Sequence, residues 1–309
     1  MPKKSIKFLG LDNSGKTSVI VSIKEKFGYV DTVKALKPTR LIEREEFQFL
    51  NLEIISHDFG GQIQYRDDYL KFPHRYLANT DLLFYLIDCQ DPNRYGESLD
   101  YFDKVMEYFK EQREYFPILI LLHKFDPDIK ENRELNKRAL VLKQNLLKYK
   151  EFQIYFFETS IYDIKSIMDA FSTGLSFLFE NIEMLYSYFE DISKRYNILF
   201  ISLIDSTGIT VGEYYSALRL IDKLKIYNLY LEVLKKIKME NKEKHEFSDT
   251  LSSGKRFSGV IEVLKLSNFD FYLLILIEEE KDLEKTVSAL DAIEAERDNM
   301  EEIISQILT

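Results

Sequence analysis

Apolar and polar positions follow two different rhythms along this chain. Between Ile6 and Phe157, short apolar runs (Ile6 to Leu9, Phe47 to Ile55, Leu82 to Ile87, Ile118 to Leu122, Ile154 to Phe157) are separated by stretches with helical spacing. From Leu99 to Phe109, for instance, Phe102, Val105, Met106 and Phe109 recur three and four residues apart, which puts them on one buried helix face. Such alternation predicts an α/β unit with a mostly parallel six-stranded sheet covered by helices on both faces. Asn51, set between Phe47, Phe49 and Leu52, Ile54, predicts one tight antiparallel hairpin within it.

From Ile182 the rhythm changes. The pattern predicts a helix through Tyr188, a strand at Ile198 to Ile204, a turn at Ser206-Thr207-Gly208, a short strand Ile209 to Val211 and a long helix to Met239. Strands follow at Val260 to Leu266 and Phe271 to Ile277, then a last helix from Asp282 with Leu283, Val287, Leu290, Met300, Ile304 and Ile307 along one face. Grouped strands with flanking helices read as a separate α+β module, so the expected domains are 1–181 and 182–309. No Pro/Gly/Ser-rich linker joins them, and only the polar stretch Asn241 to Arg256 is expected to be mobile.

With 309 residues, 45% hydrophobic and 14% aromatic, the chain can bury two cores. No leader peptide is read at its start and no apolar run is as long as a membrane span. The lone Cys89, at the end of an apolar strand, excludes an internal disulfide and is expected to be buried and inert, and the four histidines lack zinc-ligand spacing. Of the net charge of −10, −8 lies between Glu278 and Thr309, where eleven acids face three bases. Nucleic acid is therefore not an expected partner, and the cluster Lys235, Lys236, Lys238, Lys242, Lys244 reads as a solvated helix end.

Candidate chemistry begins at Gly10-Leu11-Asp12-Asn13-Ser14-Gly15-Lys16-Thr17, which follows an apolar strand and precedes the helical face Val19, Ile20, Ile23. The spacing is GxxxxGK[ST]: glycines allow a tight turn whose N–H groups, through Ser18, converge on phosphate at a helix N-terminus. Lys16 is placed to reach β/γ-phosphates and Thr17 to ligate Mg²⁺. Farther on, Asp58-Phe59-Gly60-Gly61-Gln62 ends a strand. Here Asp58 is expected to hold Mg²⁺ through water, Gly61 to bring an N–H to the γ-phosphate, and Gln62 to orient the attacking water. Thr39, nineteen residues before Asp58, is the candidate second Mg²⁺ hydroxyl, with Thr32 the competing choice. His123-Lys124-Phe125-Asp126 closes another strand. A carboxylate there accepts from N1–H and the exocyclic amine of guanine, a pattern adenine lacks, so Asp126 favours GTP over ATP by about 2 kcal/mol or more. The Lys124 stem can cover the base, and Glu158-Thr159-Ser160-Ile161 would offer backbone N–H groups to guanine O6.

These residues resemble the small GTPase superfamily, and His-Lys-x-Asp with Thr159-Ser160-Ile161-Tyr162-Asp163 resembles its Rag/Gtr branch; the phosphate loop is similar to that of Arf proteins. His57 and Tyr162 stand where tryptophans are usual. The resemblance implies a GTP/GDP-binding switch with Mg²⁺, a roadblock/longin-like second domain that pairs as a homo- or heterodimer through Ile198 to Ile277, an activating protein, and a roadblock-type scaffold. It implies a cytoplasmic protein brought to membranes by partners; Pro2 where Arf proteins carry an N-myristoylated glycine, and an end Gln-Ile-Leu-Thr without a prenylation cysteine, lead to the expectation of no direct membrane anchor.

Asp12 stands where many small GTPases carry glycine, so its charge is expected to slow unaided hydrolysis, with catalysis resting on Gln62, Lys16 and Thr39. Arg66 and Arg75 are read as partners of acids such as Asp67 and Asp68, not as arginine fingers. In the series Phe59, Ile63, Tyr65, Tyr69, whatever is left exposed is a candidate effector surface. Two rival readings are a GTP-binding scaffold without turnover, and a P-loop ATPase or nucleotide kinase.

Overall fold

Buried apolar runs become strands throughout. The computed structural model describes residues 3–25, 42–49, 52–60, 62–179, 182–205, 209–216, 218–240, 242–266, 269–279 and 295–308. It divides into two units, Met1–Leu178 and Phe179–Thr309.

In the first unit, β1 (Lys3–Gly10), β2 (Ile42–Phe49), β3 (Leu52–Phe59), β4 (Leu82–Asp88), β5 (Ile118–His123) and β6 (Ile154–Thr159) form one sheet in the order β2-β3-β1-β4-β5-β6. All neighbours are parallel except β2 and β3, which pair antiparallel from Ile42↔Phe59 to Phe49↔Leu52. Central β4 and β5 are apolar and buried almost residue for residue, as a sheet covered on both faces requires. The helices between strands are α1 (Lys16–Glu25), α2 (Ile63–Lys71), the single turn α3 (Pro73–Tyr76), α4 (Tyr95–Gln112), α5 (Arg133–Leu146) and α6 (Ile164–Ser176). Phe102, Val105, Met106 and Phe109 of α4 are all buried. Asn132 caps α5 by accepting from the N–H groups of Glu134 and Leu135, both at 3.0 Å. Phe8 stacks on Phe84 with ring centroids 4.8 Å apart, tying β1 to β4 beneath the phosphate loop.

Two tyrosines fix the start of α4 against the sheet. Tyr85 of β4 donates to the Ser98 carbonyl at 2.7 Å, and Tyr95 donates to the Cys89 carbonyl at 2.6 Å. Cys89 is buried, and burial pushes its thiol well above the usual range.

The second unit contains α7 (Ile182–Tyr196), β7 (Ile198–Asp205), β8 (Thr210–Tyr215), α8 (Leu220–Glu240), β9 (Lys244–Thr250), β10 (Arg256–Leu266), β11 (Phe269–Glu278) and α9 (Arg297–Leu308). Its sheet is antiparallel throughout, in the order β8-β7-β11-β10-β9. Two sequence expectations are corrected here. The polar stretch after Asn241 contains β9, paired with β10 from Arg256↔Thr250 to Glu262↔Lys244. As an edge strand it needs only half a buried face, so Phe247 is its one large apolar residue and no apolar run marks it. Buried Asp222, in the first turn of α8, accepts from Ser252 N–H at 2.6 Å and Ser252 Oγ at 2.9 Å and pins the β9–β10 loop. The short strand at Ile209 to Val211 instead runs from Thr210 to Tyr215, where Glu213, Tyr214 and Tyr215 are half-buried against β7. Met300 and Ile304 of α9 are buried, while Leu283, Val287 and Leu290 lie outside the described residues.

Candidate functional site

The loop between β1 and α1 has the shape its glycines demand. Gly10 and Gly15 have φ of +144° and +96°, and a Cβ on Gly15 would come within 2.3 Å of the His123 ring. Asn13 takes the left-handed conformation at φ 60°. Lys16 is buried and donates from Nζ to the carbonyls of Gly10 at 3.1 Å and Leu11 at 2.8 Å, folding its stem over the loop. Burial lowers its pKa to about 8, against the pull of Asp58 and Asp12. Ser18 sits in the first turn of α1, and its carbonyl accepts from Ser22 at 2.8 Å. Thr17 donates from Oγ1 to Asp58 Oδ2 at 2.5 Å, which joins two hard oxygen donors at the foot of the loop. Mg²⁺ favours such a sparse set, completed by phosphate and water. No group of three or more His, Cys, Asp or Glu side chains placed to hold a metal ion by themselves occurs among the described residues.

The strand ends of β5 and β6 meet the same loop. His123 is buried against Gly15 and hydrogen-bonded through Nδ1 to Thr159 Oγ1 at 3.0 Å; burial, then the neighbouring Lys124 charge, lowers its pKa to about 4. The imidazole is therefore neutral near pH 7. Lys124 turns back in the left-handed region, φ 61°, and its Nζ pairs with Asp88 Oδ2 at 2.6 Å. Asp126 Oδ1 accepts from Ser160 Oγ at 2.5 Å, and its Oδ2 accepts from Gln90 Nε2 at 2.8 Å. The Ser160 N–H donates to Ser166 Oγ at 3.1 Å, and Ser160 Oγ accepts from Tyr162 N–H at 3.0 Å. Ile161 is half-buried beside them.

Gln62 caps α2 with extended backbone, and its Oε1 accepts from Gln64 Nε2 at 3.2 Å. Phe59 and Tyr69 are buried in an edge-to-face pair, Tyr65 is half-buried, and Ile63 is 63% exposed. Thr39, its rival Thr32, and Gly61 lie outside the described residues. Arg66 pairs with an acid, as expected, but that acid is Glu97 rather than a neighbour in sequence such as Asp67 or Asp68. Arg66 is buried and donates to Glu97 Oε1 of α4, with its guanidinium 5.2 Å from the Tyr101 ring centroid; Arg75 lies 5.3 Å over the Tyr76 ring. Residues one and two along a helix point elsewhere, so local spacing misleads here. Sequence reasoning also missed Asp88, Gln90, Arg94 and Glu97. Arg94 Nη2 reaches Asp12 Oδ1 at 2.6 Å across 82 positions, a separation that no local motif encodes.

A six-stranded sheet of this order, with a GxxxxGKT loop on its first strand and HKxD on its fifth, defines a P-loop protein of the small G-protein class. The chain belongs to the Gtr1/RagA family: the "Gtr1/RagA G protein conserved region" matches residues 6–231. It is also 27% identical over 124 residues to an ADP-ribosylation factor of Encephalitozoon cuniculi, and to the small COPII coat GTPase SAR1 of Giardia intestinalis to the same degree over the same length. Each alignment takes in 40% of this chain and 54% and 59% of those relatives, so the chain spans little more than half their length. Among solved structures it is similar to the Arl6 (BBS3) small GTPase of Trypanosoma brucei with bound GppNp, at 21% identity and a TM-score of 0.45, over 56% of this chain and 95% of that one.

Proposed function

We propose that this protein is a GTP-operated switch that binds GTP and GDP with Mg²⁺, hydrolyses GTP slowly, and signals through the segments around Thr39 and Gly61. The observation that carries this reading is the contact of His123 with Gly15, which brings the HKxD loop and the phosphate loop into one site. In it, Asp126, steadied by Ser160, reads the guanine edge, and the N–H groups of the loop from Asp12 to Ser18 with Lys16 bind phosphate. Thr17 and Asp58 are the ligands for Mg²⁺, with Thr39 the proposed third; the ion, when bound, neutralises phosphate charge. Gln62, at the head of α2, orients water. Its amide oxygen is engaged with Gln64, so it must turn to do so, which supports a low unaided rate and an activating partner.

The second unit is proposed as a roadblock-like dimerisation module. Its support is the element order α7-β7-β8-α8-β9-β10-β11-α9 around one antiparallel sheet whose edge strands are β8 and β9. A roadblock-type scaffold and a cytoplasmic setting follow from that reading; no described helix is long and apolar enough to cross a membrane.

Competition of GTP, GDP and ATP for the purified chain, followed by phosphate release, tests the switch. Guanine nucleotides should win by at least about 30-fold, the equivalent of the roughly 2 kcal/mol of one hydrogen bond to a charged group. Equal affinity for ATP would return the P-loop ATPase reading, and binding with no release even with an activator would return the scaffold. Sedimentation at micromolar concentration should give a dimer.

A further inference from the structure

Four charged groups run in a line from the phosphate loop to the helix that follows Gln62. Arg94 donates from Nη2 to Asp12 Oδ1 at 2.6 Å and from Nη1 to the Asp12 carbonyl at 3.1 Å, gripping both backbone and side chain of one loop residue. The same guanidinium donates from Nε to Glu97 Oε2 at 2.9 Å and from Nη2 to Glu97 Oε1 at 3.3 Å. Glu97 Oε1 also accepts from buried Arg66 of α2. Each interior member is thus shared: Arg94 between two carboxylates, Glu97 between two guanidinium groups. The charges alternate and sum to zero. Tyr95, next to Arg94, is tied to the Cys89 carbonyl just past β4, and Ser98, next to Glu97, to Tyr85 of β4, so Arg94 and Glu97 stand on anchored backbone. Hydrogen bonds to Glu97 and Asp12 raise the Arg94 pKa, and Arg94 and Arg66 together hold the Glu97 carboxyl below the usual range, so the two shared members of the line stay charged.

Asp12 would otherwise be an anion in a loop built to accept one. Coulomb repulsion between like charges falls off slowly with distance inside a protein and grows with each added phosphate charge. We infer that Arg94 is a positioning and specificity-determining residue that neutralises Asp12 and draws it aside, so that the loop accepts a triphosphate as readily as a diphosphate, and that Glu97 and Arg66 set how firmly it does so. Removing Arg66 leaves Glu97 wholly to Arg94, which competes with Asp12 for it. Neutralising Glu97 does the reverse and gives Arg94 wholly to Asp12. The relay therefore couples the placement of α2 to the charge of the phosphate loop. This inference rests on the guanine-nucleotide reading proposed above.

The test is a pair of dissociation constants, for GDP and a non-hydrolysable GTP analogue, on the full chain and its variants, with thermal melts to confirm folding. Arg94→Gln should weaken the triphosphate at least tenfold more than GDP, and Asp12→Asn on that background should restore the ratio to within about twofold of the original. Glu97→Gln should shift the ratio toward the triphosphate, while Arg66→Gln should shift it threefold or more toward GDP; shifts of the same sign would overturn the relay. That opposition of sign is not the result of a merely structural role. If Arg66→Gln does not fold, Arg66→Lys, a cation without the fork that reaches Glu97, stands in for it with the same sign. Equal weakening of both nucleotides by Arg94→Gln, or no rescue by Asp12→Asn, overturns the relay. If the unaltered chain binds neither guanine nucleotide, the functional reading itself falls and the relay with it.

Discussion

The base-reading end and the phosphate end of the candidate site are built from different materials. At the base end, His123, Thr159 and Ser160 are buried on strand ends, and both oxygens of Asp126 already have donors. At the phosphate end, Ser14, Lys16 and Asp58 are buried too, but Asp12 and Gln62 are half-exposed: Asp12 is held by half-buried Arg94 at the start of α4, while Gln62 accepts from the exposed Gln64. A carboxylate that must discriminate bases gains from rigidity, since misplacing it by an ångström forfeits two hydrogen bonds. Residues that answer to a partner gain from alternatives within reach.

That contrast can be broken at three points. The largest effect is expected for Asp126→Asn, which replaces two acceptors with one and adds a donor. GTP affinity should fall about 1000-fold, while xanthosine triphosphate, whose base offers a carbonyl where guanine has its amine, should gain. A competition titration decides it, and an unchanged preference would remove Asp126 from the base site. Next comes pH. The unfolded chain takes up a proton on His123 near pH 6.5 and the folded chain only near 4, so acidification through that window favours unfolding. Above pH 6.5 the effect is absent; by pH 4 it reaches at most about 3 kcal/mol, at ~1.4 kcal/mol per pH unit. Denaturant midpoints measured across that range should fall with pH, and His123→Asn should flatten the slope. The smallest effect is expected for Gln62→Leu: single-turnover phosphate release should drop roughly 10-fold while affinities stay within about twofold, the mark of a group acting only in the transition state. Weakened binding of both nucleotides would show instead that Gln62 is part of the rigid end.

What could be read from the chain alone follows the same division. The phosphate loop and Asp126 lie in short, chemically constrained strings, and the strands that carry them are buried runs too apolar to be anything else, so sheet and loops were both visible. Arg94, Glu97 and Gln90 were not. Their positions in the site depend on which strand lies beside which, and β4 stands between β1 and β5 for reasons of packing, not local pattern. The sequence points Arg66 to an acid but not to the right one, because adjacent acids are conspicuous while Glu97 arrives from another helix. In the second unit β9 escaped for the opposite reason: its edge position lets polar residues serve, and polar residues look like a loop.

Cys89 has a practical consequence. It is the chain's only cysteine, buried behind the loop that begins at His123, with a thiol held protonated at neutral pH. Thiol-directed reagents should therefore pass the native protein by. A cysteine introduced at exposed Ile63 would be the single reactive labelling position, and a fluorophore there would show whether α2 moves when nucleotide binds, without any background to subtract.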